Sequence, residues 1–142
     1  MAKKKLTPKD RLALEQWNEL VASIKESSDI NTSDSVADIE TRKKRLETDD
    51  DAWFKYYFAQ YYTCEPAAFH KKATKRIMRN NRWYEVRAWS RELAKSARSM
   101  MEIIKLALTR KIRNVLLISN SADNAERLLL PFMANLEENQ RI

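Results

Sequence analysis

The 142-residue chain contains no glycine. At an average usage of ~7%, about ten would stand in a chain of this length. Every turn must therefore be made with Asn, Asp, Ser or Pro. Any loop that wraps a phosphate must also do without the residue that best tolerates left-handed backbone angles and close approach. Cysteine and histidine are each present once, as Cys64 and His70. One cysteine excludes a disulfide framework and a thiolate metal cluster, and His70 has no second His or Cys to share a metal with. No apolar run approaches the ~20 residues that cross a bilayer. The basic start Met1-Ala2-Lys3-Lys4-Lys5 leads into polar Leu6-Thr7-Pro8-Lys9-Asp10 rather than an apolar segment, which argues against a secretory signal. The expectation is a reducing cytoplasmic compartment and no membrane partner.

What is present is globular in composition, with 44% hydrophobic residues, enough for one domain with its own core. The net charge of +7 is unevenly placed. Residues 66–113 hold fourteen Lys and Arg against three Asp and Glu, while residues 1–65 and 114–142 are each slightly acidic. A basic block of this kind fits a polyanion, either nucleotide phosphates or nucleic acid. It is equally the pattern of a solvated basic face on two helices.

Helix signals are local and clear in the first third. Thr7-Pro8-Lys9-Asp10 places a cap, a first-turn proline and an acid three residues after the cap. Trp17, Leu20, Val21 and Ile24 follow at helical spacing, predicting a helix from Pro8 to about Glu26. Ser27 to Ser35 reads as a loop, and Val36 to Thr48 as a second, charged helix bearing Arg42-Lys43-Lys44-Arg45. Asp49-Asp50-Asp51 suits the positive end of a helix dipole better than a metal, because consecutive side chains at a helix start point apart. The aromatic run from Trp53 to Tyr62 predicts a core helix. Glu65-Pro66 opens a further helix with Phe69, Ala73 and Ile77 on one face, ending at Asn80-Asn81 with a left-handed cap.

From Trp83 the pattern changes. Tyr84, Val86 and Ala88 alternate with Glu85 and Arg87, predicting a strand to Trp89. A short loop follows, then a helix whose stripe is Ala97, Met100, Met101, Ile104 and Leu108. After a basic turn at Thr109–Arg113, Val115-Leu116-Leu117-Ile118 reads as a strand buried on both faces of a parallel sheet. Ser121 or Asp123 caps a last helix, which Pro131 should kink or split near Leu130. Gln140-Arg141-Ile142 lies where a third strand could begin. Strand, loop, helix and strand in this order make a βαβ unit. The expected fold class is α/β: an incomplete P-loop NTPase-type core over residues 49–142, with a mainly helical N-terminal extension over residues 1–48.

Ala94-Lys95-Ser96 lies at the junction of the first strand and its helix. In a phosphate-binding loop the backbone N–H groups and the helix dipole hold the phosphates. A lysine neutralises charge, and the next hydroxyl holds magnesium. The general pattern G-x-x-x-x-G-K-S/T is broken at both glycines, by Trp89 and Ala94.

Ser90-Arg91-Glu92-Leu93-Ala94-Lys95-Ser96 resembles the deviant Walker A of large terminase subunits, the ATP-driven DNA-packaging motors of tailed phages. Those loops commonly lack the first glycine and read Ser-Arg-Gln-Leu-Gly-Lys-Ser/Thr. Serine, arginine, leucine, lysine and serine agree here, while Glu92 and Ala94 depart. RWYEVRAW before the loop and SNSADNAERLLLPF after the second strand are similar to the same family, so the resemblance covers roughly residues 50–142. It implies ATP and magnesium as ligands. Lys95 would take the β- and γ-phosphates, Ser96 the magnesium and Arg91 the γ-phosphate, with the N–H groups of Leu93, Ala94 and Lys95 lining the cradle and Ser90 and Glu92 shaping it. Phe69 would lie near the adenine. In the full-length family the partners are double-stranded DNA, the small terminase subunit and the portal.

The acidic Asp-Glu strand end that such an ATPase needs does not follow Ile118, and no nuclease carboxylates occur. The expectation is therefore the N-terminal part of a larger protein, inactive by itself in hydrolysis. Two other readings stand beside it. One is a basic helical nucleic-acid-binding module in which Lys95-Ser96 is a coincidental turn; the other is a helicase-like ATPase sharing the first strands.

Overall fold

Caps written into the sequence begin the fold, and the computed structural model describes residues 7–80 and 82–142. Helix α1 spans Pro8–Ser27 and α2 spans Val36–Thr48. Each starts with a reciprocal capping box, Thr7 with Asp10 and Ser35 with Asp38, a device worth about 1 kcal/mol at each helix start. Helix α3, Asp50–Tyr57, is capped by the Asp49 carboxylate, which accepts from the N–H groups of Asp51 and Ala52. A single 3-10 turn, Ala59–Tyr61, follows it. Then come α4, Ala68–Arg79, α5, Lys95–Leu108, and α6, Ala122–Glu138.

Among the described residues there is no strand, which overturns the expected α/β class and its βαβ core. Residues 83–89 and 114–118 lack regular structure and pair with no other segment as a ladder. The first has its apolar side turned outward, with Tyr84 87% and Val86 70% exposed. Its polar side faces the helices: Glu85 bonds Arg76 of α4, and Arg87 bonds Ser99 and Glu102 of α5. In the second, Leu116 and Ile118 are similarly exposed. Gln140–Ile142 forms a turn rather than a third strand.

Helix α5 is the axis. Its apolar stripe places Met100, Met101 and Ile104 against Trp53, Phe54 and Phe58 of the aromatic segment, with Leu46 of α2 and Met78 of α4 completing the cluster. Phe54 and Phe58 are fully buried, so truncating either to alanine costs about 3–5 kcal/mol. Helix α1 lies along α6. Helix α6 runs through Pro131 without a break. In the turn after it, the buried Asn135 amide donates to the Pro131 carbonyl at 2.7 Å and accepts from Gln60 at 2.9 Å, which ties α6 to the 3-10 turn.

Two smaller boundaries also differ. Helix α4 starts at Ala68 rather than at Pro66. It does not end on a left-handed Asn80, whose backbone is extended; the Asn80 side chain caps the end instead, donating to the Arg76 carbonyl at 2.5 Å. The other half of the expected cap, Asn81, lies outside the described residues.

Candidate functional site

Residues 90–94 form a tight exposed loop that delivers the chain into α5. All seven residues singled out in the sequence lie here in one run. Ser90, Arg91, Glu92, Leu93 and Ala94 make the loop, and Lys95 and Ser96 are the first two residues of α5. Glu92 has φ 67° and Ala94 has φ 49°. Left-handed angles at residues with a Cβ cost roughly 1–2 kcal/mol each and persist only where the surroundings impose them. Ala94 is the position at which the resembling loops carry glycine.

Three bonds impose the shape. The Lys95 ammonium reaches back over the loop to the Trp89 carbonyl at 3.0 Å. The Ala94 carbonyl accepts the first helical bond, from Arg98 N–H at 2.8 Å. His70 of α4 meets the Leu93 carbonyl through Nε2 at 3.0 Å. Ala94 supplies no side-chain cap to α5. The N–H groups at the start of α5 thus meet no cap from the residue before them, at the positive end of a 14-residue helix, which is the arrangement that favours an anion. The Ser96 hydroxyl is exposed one residue into the helix. The donor set fits a polyphosphate. Magnesium would find one hydroxyl and no acidic pair, and the Glu92 carboxylate opposes an anion.

Below the loop lies a polar network that the periodicity of α5 conceals. Arg98, Glu102 and Lys105 are buried on the same helix as the apolar stripe. Arg98 donates to Asp51 at 2.7 Å and to Thr74 Oγ1 at 2.9 Å, and its guanidinium lies 4.6 Å from the Phe54 ring centre. Thr74 donates to Glu102 at 2.5 Å. Arg87 closes the network onto the other Glu102 oxygen at 2.5 Å. Lys105 pairs with Asp50 at 2.8 Å. Burial pushes the Glu102 carboxyl up, against the opposing pull of Thr74 and Arg87. The spacing of 98, 102 and 105 at i, i+4 and i+7, opposite the acidic start of α3, is the signal that could have disclosed this second face.

The basic block is partly consumed by the fold. Lys71, Arg76, Arg87, Arg98 and Lys105 all form ion pairs within the chain. Lys111 donates to the Met78 carbonyl at 3.1 Å, which brings the exposed turn holding Arg110 and Arg113 to the end of α4 holding Arg79. Among the described residues no helix is long and apolar enough to cross a membrane. Comparison with protein-family models, with curated proteins and with solved structures gives no match to this chain.

Proposed function

We propose that this chain carries the ATP-binding loop of a DNA-packaging motor of the large-terminase kind, working in the cytoplasm of a host cell. The observation that supports the reading is the shape of residues 89–96. Two left-handed residues and the Lys95–Trp89 bond close a loop that opens onto the uncapped start of α5. Lys95 serves the β- and γ-phosphates, Ser96 the magnesium that accompanies them, and Arg91 the γ-phosphate. Hydrolysis needs carboxylates that this sequence does not supply, so the chain by itself binds without turnover. Double-stranded DNA, the small terminase subunit and the portal are partners of the complete motor. Titration of the chain with Mg-ATP by calorimetry tests the reading. Lys95→Ala should weaken binding at least tenfold, since it removes a charge-assisted contact worth roughly 1.5–3 kcal/mol. Equal affinity in the two proteins would sink it.

A second reading rests on the Lys111–Met78 contact, which gathers Arg79, Arg110, Lys111 and Arg113 at one end of the molecule. Such a cluster suits a nucleic-acid backbone, and its signature is an affinity for duplex DNA that falls steeply with salt. Binding unaffected by salt would remove its basis.

A further inference from the structure

His70 belongs to α4, outside the loop motif, yet it touches the loop at both ends. Its ring packs edge-on against Trp89, the residue before the loop, with centroids 4.9 Å apart. Its Nε2 lies 3.0 Å from the carbonyl of Leu93, the residue between the two left-handed ones. Its Nδ1 lies 3.1 Å from the Ala67 N–H at the start of α4.

The third contact decides the chemistry of the second. A backbone N–H can only donate, so Nδ1 is the acceptor and carries no proton. The neutral ring then has its proton on Nε2, and Nε2 donates to the Leu93 carbonyl. One helix start therefore fixes the tautomer, and the tautomer fixes the direction of the bond to the loop.

That bond has a geometric consequence. In a trans peptide the C=O and N–H of one plane point opposite ways. Holding the Leu93 carbonyl toward α4 turns the Ala94 N–H away from α4. Turning this peptide over is the obvious relaxation for a loop in which neither left-handed residue is glycine, and it would reverse that N–H. The imidazole opposes the turn.

We propose that His70 is a positioning residue for the phosphate loop: as the Nε2–H tautomer it clamps the Leu93–Ala94 peptide, so that the Ala94 N–H is presented to a triphosphate. This deepens, and rests on, the reading of residues 90–96 as an ATP-binding loop. His70 itself makes no contact with the nucleotide.

Two substitutions separate its two bonds. In His70→Asn the amide oxygen stands where Nδ1 stood and keeps the Ala67 N–H satisfied, but the side chain is too short for Leu93. In His70→Gln the amide nitrogen regains the reach of Nε2. Titration of the full chain with Mg-ATP and with inorganic triphosphate should show His70→Asn binding both about three- to tenfold more weakly, the worth of one hydrogen bond. Its melting temperature should stay near that of the parent, and His70→Gln should recover most of the affinity. Nitrogen NMR of the unliganded parent reads the ring directly and should show a protonated Nε2 and a bare Nδ1. A ring protonated on Nδ1 would overturn the proposal whatever the variants do. So would parent-like affinity in His70→Asn while Lys95→Ala still loses binding, an outcome that leaves the ATP site standing. Binding absent from the parent and from Lys95→Ala alike would instead remove the site and the clamp together.

Discussion

Arg87 donates to Glu102 at 2.5 Å and to Ser99 at 3.1 Å, so the segment that enters the loop is fastened to the helix that leaves it. The pair is almost wholly enclosed, with side chains 8% and 2% exposed. Removing one member of a buried pair leaves the other charge uncompensated at a cost of about 3–5 kcal/mol. Arg87→Met should therefore lower the unfolding free energy by about 3 kcal/mol, toward the low end of that range, because Thr74 and Arg98 still face Glu102. Urea unfolding with an unchanged slope would show it. A loss well under 1 kcal/mol would mean that the pair is solvated in solution.

Glu85 should contribute to the acid limb of stability, beside the capping carboxylates Asp10 and Asp38, which Thr7 and Ser35 also hold below the ordinary value. Arg76 grips the Glu85 carboxylate with two donors and the Trp83 indole N–H donates at 2.7 Å. These bonds, Arg76 first, hold the carboxyl at about 2 against an ordinary 4.5. As pH falls, the unfolded chain takes up this proton near 4.5 and the folded chain only near 2. The stabilisation is thus complete above the ordinary value and is lost as pH drops from there toward 2. Glu85→Gln should flatten melting temperature against pH in that window and leave the neutral region's slope unchanged. An acid limb as steep as the parent's would show that Glu85 contributes nothing to it.

Glu85 and Arg87 also mark where the sequence misleads. Their alternation with Tyr84, Val86 and Ala88 is real, and it predicts a strand. The inner face is the charged one, because Arg76, Ser99 and Glu102 wait there. Alternation is a local property, whereas a strand is defined by a neighbouring backbone, which no local pattern supplies. The same limit hid the second face of α5, whose Arg98 and Lys105 look solvent-bound until Asp51 and Asp50 are placed opposite them. The helix starts at Thr7 and at Ser121, the latter one of two candidate caps, are legible because each cap binds within three residues of itself. The contact of the loop with His70 is not legible, since its bond to Leu93 spans 23 residues.

Ala94 offers the sharpest test of the loop's geometry. Its φ of 49° costs an alanine roughly 1–2 kcal/mol that a glycine escapes. Glycine also gains freedom in the unfolded chain, which costs about 0.4–1 kcal/mol. For Ala94→Gly the two effects oppose, and the net change should lie between zero and about 1.6 kcal/mol of added stability. Ala13 is the control, exposed in the middle of α1 with a helical backbone. Ala13→Gly loses the same entropy without relieving any strain and should cost about 1 kcal/mol. The difference between the two variants isolates the left-handed strain at the loop, because the unfolded-state contribution is common to both. Glycine also permits closer backbone approach to a phosphate, so Ala94→Gly should bind Mg-ATP more tightly than the parent while Ala13→Gly binds it equally. If Ala94→Gly were destabilised as much as Ala13→Gly, residue 94 would not be left-handed in solution, and the loop would lose the shape on which its reading as a phosphate cradle depends.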